Sequence, residues 1–92
     1  MERINELKRK MKEIDEVKRM YRCAKNEHEK FRHAYEKAIS DCELAIELDN
    51  YENAKELLEH AKGLLSVSAS KAEEEREYLK ELIKRNASLK NI

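Results

Sequence analysis

The sequence predicts an all-α fold, a long antiparallel helical hairpin: a two-helix coiled coil with its turn near residues 49–50, dimerising into a four-helix arrangement. Three observations predict it. The 92 residues contain no Pro and a single Gly, Gly63, and so lack most of the punctuation that loops require. Charged residues make up 43% and aromatics 5%, the composition of long exposed helices rather than of a compact globule. Finally, two apolar stripes mirror each other about Asp49-Asn50. Backwards they fall at Ala45, Cys42, Ala38, Tyr35, Phe31, His28, Ala24, Tyr21, Val17, Ile14, Met11 and Leu7. Forwards they fall at Ala54, Leu58, Ala61, Leu65, Ser68, Ala72, Glu75, Leu79, Leu82, Asn86, Leu89 and Ile92. A disordered polar chain has no reason to carry such a pattern.

The chain is long enough for one domain, spanning 1–92. Arm one covers 2–48, and its stripe alternates steps of three and four, the spacing of a coiled-coil seam. Met11, Ile14 and Val17 make two steps of three in succession, which predicts a local stammer. Arm two covers 51–91 and repeats the irregularity at Asn86, Leu89 and Ile92. Pairing residue i with residue 99 − i sets the two irregularities side by side, and this fixes the expected register.

The turn has its own chemistry. Asp49 is a favourable N-cap, and Glu52 three positions later completes a capping box. The segment Leu48-Asp49-Asn50-Tyr51-Glu52-Asn53-Ala54 resembles the turn inside a tetratricopeptide repeat. That likeness covers about 20 residues and is one of turn chemistry, because no copy stands 34 residues away, where Val17 and Arg85 replace Tyr51. Ser66-Val67-Ser68-Ala69-Ser70 is the one stretch that reads as a break, and a break at residues 66–70 would give a three-helix bundle instead. The fold-back pairing favours continuous helix there. It sets Ser68 level with Phe31, and small side chains opposite large ones are what a close-packed seam requires.

A lone hairpin buries little surface per residue. Ile39, Leu44 and Ile46 flank the stripe on arm one, and Leu57, Leu64 and Val67 flank it on arm two. These six widen the apolar face near the turn and predict a partner on that half, most simply a second copy. Scattered surface hydrophobes are the bland alternative.

The net charge of zero hides segregation. Residues 1–37 carry 12 Lys/Arg against 8 Asp/Glu, a net of +4. Residues 38–59 carry Lys55 against seven acids, a net of −6, and residues 60–92 carry 7 basic against 5 acidic, a net of +2. A hairpin therefore has an acidic tip, to which Asp41, Glu43, Glu47, Glu52 and Glu56 contribute, and a basic terminal end. The tip suits a basic protein surface. The terminal end offers Lys8, Arg9, Lys10, Lys12, Lys18, Arg19, Lys84 and Arg85 to nucleic acid, but Glu13, Asp15, Glu16 and Glu81 interrupt that patch, which phosphate binders usually keep clear. Charge matching within an antiparallel dimer explains the same segregation without a foreign partner.

Site chemistry is sparse. His28 lies on the stripe, while His33 and His60 follow Glu29 and Glu56 by four residues, a spacing that more often supports a helix than a metal. No Glu-x-x-His pair is present, so the carboxylate-bridged di-metal pattern is missing. Cys23 and Cys42, 19 positions apart, stand roughly 28 Å from each other on one helix, beyond disulfide reach. Neither has a histidine placed as a base, and no Gly-rich phosphate loop occurs. No apolar run is long enough to span a bilayer, and the N-terminus lacks a signal-peptide core. Asn86-Ala87-Ser88 fits a glycosylation pattern that has no meaning in a cytosolic chain.

The sequence therefore predicts a cytoplasmic, non-enzymatic interaction module: an adaptor, assembly factor or small inhibitor acting through the apolar, acidic turn half. It is expected to have no catalytic residues, cofactor, metal, membrane contact or small-molecule substrate. The alternative is a small dimeric nucleic-acid-binding regulator that uses the basic terminal end.

Overall fold

The computed structural model describes residues 2–89. Two helices account for nearly all of them: α1, Glu2–Glu47, and α2, Tyr51–Leu89. They pack antiparallel into a rod of 72 × 14 × 14 Å. At 1.5 Å per residue the 46 residues of α1 span roughly 69 Å, so one uninterrupted helix sets the length of the molecule. The hairpin expectation holds. The three-helix alternative does not, because α2 runs unbroken through 66–70 with Ser68 buried in the seam and Phe31 half-buried at the complementary level. Lys90 and Asn91, which end the expected second arm, and Ile92, which ends the expected stripe and its second irregularity, lie outside the described residues.

The seam follows an unbroken heptad. On α1 the buried or half-buried residues at its core are Lys10, Ile14, Val17, Tyr21, Ala24, His28, Phe31, Tyr35, Ala38, Cys42 and Ala45. On α2 they are Ala54, Leu57, Ala61, Leu64, Ser68, Lys71, Glu75, Tyr78, Leu82, Arg85 and Leu89. Both series alternate threes and fours throughout, as a and d positions of a heptad do. Here Ile14 is an a position of α1 and Ala54 an a position of α2.

This corrects the expected stripe in two places. Leu7 and Met11 at the start of the stripe are exposed, and Lys10 takes the seam position in place of Met11, so no stammer occurs there. On α2 the a row is as expected, but the second row falls one residue earlier than expected. Leu57, Leu64, Lys71, Tyr78 and Arg85 form it, and Leu58, Leu65, Leu79 and Asn86 are exposed. The physical cause is the same in both helices. Lys and Arg bury their methylene stems while keeping their charge at the rim, so a seam passes through them. The fold-back register holds to within one residue of the expected sum of 99. The cross-helix pairs Glu13–Arg85, Glu27–Lys71 and Lys10–Ser88 each sum to 98.

The turn is tight and fully capped, though not in the expected way. Asp49 does not cap α2. It sits just past α1 with φ of 57°, a left-handed conformation that Asp tolerates better than most residues. Its N–H donates to Ile46 O at 3.0 Å, and Asn50 N–H donates to Ala45 O at 2.8 Å. These two bonds are the Schellman pair that satisfies orphan carbonyls at a helix end. Asn50 is the N-cap of α2, accepting the Asn53 N–H on its side-chain oxygen at 3.3 Å. Glu52 falls one position short of the reciprocal place and instead meets Lys55 at 3.9 Å. Tyr51 Oη donates to the Asp49 carboxylate at 3.1 Å, tying the two ends of the turn together.

Candidate functional site

The seam has two chemical halves, and they determine what each surface can do. Around the turn it is built from Ala38, Cys42, Ala45, Ala54 and Ala61, all buried. Cys42 Sγ donates to Ala54 O at 3.3 Å, a contact possible only where the two backbones approach closely. Leu57 packs against Cys42, Ala45 and Ala54. Leu57 and Leu64 thus belong to the seam and not to a free flanking face, which corrects two of the six apolar residues expected to meet a partner. Ile39 is half-buried beside the seam, and Leu44, Ile46 and Val67 are exposed.

The exposed apolar set at the turn is larger than expected. Leu48, at 71% exposed, and Tyr51 join Leu44 and Ile46 there. Asp41, Glu43, Glu47, Glu52 and Glu56 are all exposed around them. Asp41, Leu44, Leu48, Asn53 and Leu57 line a shallow depression on one side of the tip. Neither Leu48, in the turn, nor Tyr51, the first residue of α2, falls on an apolar stripe or its flanks, so spacing gives no signal for them.

Beyond the turn the seam becomes polar. His28 Nδ1 and Glu75 Oε2 stand 2.8 Å apart, both half-buried. Lys71 bridges Glu27 at 2.7 Å and Glu74 at 3.5 Å. The Lys71 ammonium, hydrogen-bonded to the Glu27 carboxylate, holds Glu27 below the usual glutamate range, and the same bond raises Lys71. Arg85 is gripped by Glu81 at 2.8 Å and Glu13 at 3.0 Å. Lys10 Nζ donates to Ser88 Oγ at 3.2 Å.

These pairs bear on the candidate nucleic-acid contacts. Arg85 and Lys10 are engaged within the hairpin, whereas Lys8, Arg9, Lys12, Lys18, Arg19 and Lys84 are exposed. Phe31, Tyr21, Tyr35 and Tyr78 are half-buried in the seam, so of the aromatics only Tyr51 is well exposed. Stacking on single-stranded bases needs exposed rings.

His33 lies 3.8 Å from Glu36 and His60 is exposed. Among the described residues no group of three or more His, Cys, Asp or Glu side chains converges in a way that suits a metal ion. Cys23 is exposed and Cys42 buried, both as free thiols on one continuous helix. No helix of the described residues is long and apolar enough to cross a membrane.

Heptad position separates the two long edges of the rod. The g positions of both helices meet along one edge, where Glu27 and Glu13 pair across the seam with Lys71 and Arg85, and Glu74 and Glu81 pair with the same two cations within α2. In antiparallel packing the e positions share the opposite edge. Asp and Glu occupy Glu6, Glu13, Glu27, Asp41, Glu74 and Glu81 on the g edge, which carries no Lys or Arg. The e edge carries Lys18, Lys25 and Arg32 and no acid. Segment counts missed this lateral split because each segment averages over both edges. Comparison with protein-family models, curated proteins and solved structures finds no match to this chain.

Proposed function

We propose that this chain is a non-enzymatic protein–protein interaction module, an adaptor, assembly factor or small inhibitor, that acts through its turn half. The observation that carries this reading is that four large apolar side chains are exposed at the tip, Leu44 and Leu48 lining the depression and Ile46 and Tyr51 outside it, among seven acids and a single Lys within residues 38–59. Exposed apolar residues ringed by charge are the make-up of a binding surface, with the apolar part supplying affinity and the acids steering a basic partner. The depression beside Leu48 is shallow and open, which suits a protein surface better than a small substrate.

A second copy covering part of this face, closing a four-helix arrangement, belongs to the same proposal, as does a cytoplasmic setting in which the thiols stay reduced. The deciding experiment compares affinity capture from the native cell by the wild type and by Ile46→Asp. A partner retained by the wild type and lost by the variant supports the reading. Identical capture by both, with the variant still helical, removes it. Light scattering at micromolar concentration tests the dimer, and a mass of 11.0 kDa there eliminates it.

A further inference from the structure

The e edge of the stem carries a second seam. Leu65, Ala69, Ala72, Arg76, Leu79 and Ile83 follow one another at steps of four and three, the spacing of the buried seam itself, yet lie on an outer face of α2. Leu65 is 49%, Leu79 42% and Ile83 62% exposed. Helices with one neighbour need two apolar rows, whereas a third row in this spacing is what helices packed on two neighbours show.

The neighbouring row on α1 is Lys18, Lys25 and Arg32, each seven residues from the next and hence about 10.5 Å apart along the axis. Lys18 and Lys25 make no ion pair within 4 Å among the described residues, and Arg32 reaches only Glu36, at 3.9 Å. The opposite edge differs: there Glu27 and Glu13 are neutralised by Lys71 and Arg85. The e edge is thus apolar on its α2 side apart from Arg76, and on its α1 side it carries three cations, of which Lys18 and Lys25 make no ion pair among the described residues.

We propose that this edge docks a third helix. Its contact face would be apolar at heptad spacing, and the flank turned towards α1 would carry Asp or Glu at seven-residue intervals. Charge complementarity selects this occupant over a nucleic acid, for which the aliphatic row offers nothing, and over a membrane surface, which needs an apolar face broader than one strip. The surface is separate from the acidic tip and does not depend on the function proposed for it.

The test uses the whole chain and a fluorescently labelled synthetic helix of about three heptads, with Leu and Ala on the contact face and Glu on both flanks. A matched peptide carries Lys on the flanks. Anisotropy should show the Glu-flanked peptide binding at least about tenfold more tightly than the Lys-flanked one, with the difference shrinking as salt is added. Leu79→Asp should lose that binding, and Ile46→Asp at the tip should retain it. The surface triple variant K18E/K25E/R32E, whose fold is checked by circular dichroism, should reverse the preference between peptides. Equal affinity for the two peptides, binding of neither, or indifference to the triple variant overturns the proposal. So does self-association abolished by Leu79→Asp, which gives the row to a second copy, or binding to vesicles of anionic lipid in place of the peptide.

Discussion

The half of the seam next to the turn and the half along the stem solve the same packing problem with different chemistry. Near the turn Ala38, Ala45, Ala54 and Ala61 let the backbones close in, and Ala61 is only 1% exposed. Along the stem the seam carries more large residues, and charges reach across it: His28 to Glu75, Lys71 to Glu27, Arg85 to Glu13. Small residues confer proximity but contribute little burial. Large and charged residues contribute reach and register but leave each pair partly in water. The stem's ion pairs matter more for alignment than for strength, because half-exposed pairs add little stability.

This contrast predicts opposite responses to side-chain volume. Leu82→Ala in the stem should cost the most, about 2–4 kcal/mol, because it empties a buried aliphatic position. Denaturant unfolding measures it, and a loss below the error of the method would mean that the stem seam is not packed. Ala61→Leu in the turn half should cost about 1–3 kcal/mol by forcing the close-packed helices apart. A neutral or stabilising result there would break the contrast between the halves.

Backbone positions come next in size. Asn50→Ala removes the N-cap of α2 and should cost about 1 kcal/mol. Gly63→Ala should stabilise by about 0.5–1 kcal/mol, because a Cβ at this helical position meets open space. Equal unfolding midpoints for Gly63→Ala and the wild type would show that the helix is not formed there in solution.

The smallest effect is pH-dependent and belongs to the stem alone. Glu27 is lowered by Lys71, so its contribution is complete above the ordinary glutamate value of 4.5 and is lost as pH falls through its lower folded value. Lys71 is raised by Glu27, so its contribution is complete below the ordinary 10.5 and is lost as pH rises through its higher folded value. Glu27→Gln should therefore flatten both the acid and the alkaline limb of the stability profile. Unchanged limbs would show that the pair is not formed in solution.

Much of this was legible in residue order. All ten seam positions of α1 from Ile14 to Ala45 follow from apolar spacing, as does the a row of α2. The d row of α2 was not legible by that criterion. At Lys71 and Arg85 it passes through charged residues, and the criterion steps to Ala72 and Asn86 and carries Leu58, Leu65 and Leu79 along with it. What looked like one stripe was a blend of the buried seam and the exposed row beside it. The cap was misassigned for a related reason. Asp49 and Asn50 are both good caps, and only the backbone bonds of the α1 terminus decide between them. The cross-helix pair of His28 and Glu75 had no local signal, since the two are 47 residues apart in the chain.

The capped turn also dictates an order of assembly. Cys42 and Ala54, joined across the tip, are 12 residues apart in sequence, whereas Lys10 and Ser88 are 78 apart. Closing the short loop first costs the least chain entropy, and every later pair then closes on a helix already half paired. The hairpin should zip from the tip, so that changes at Asp49 and Asn50 alter the folding rate while changes near Arg85 alter the unfolding rate. Amide exchange should correspondingly slow towards the tip, which leaves the terminal ends as the part of the rod that opens first.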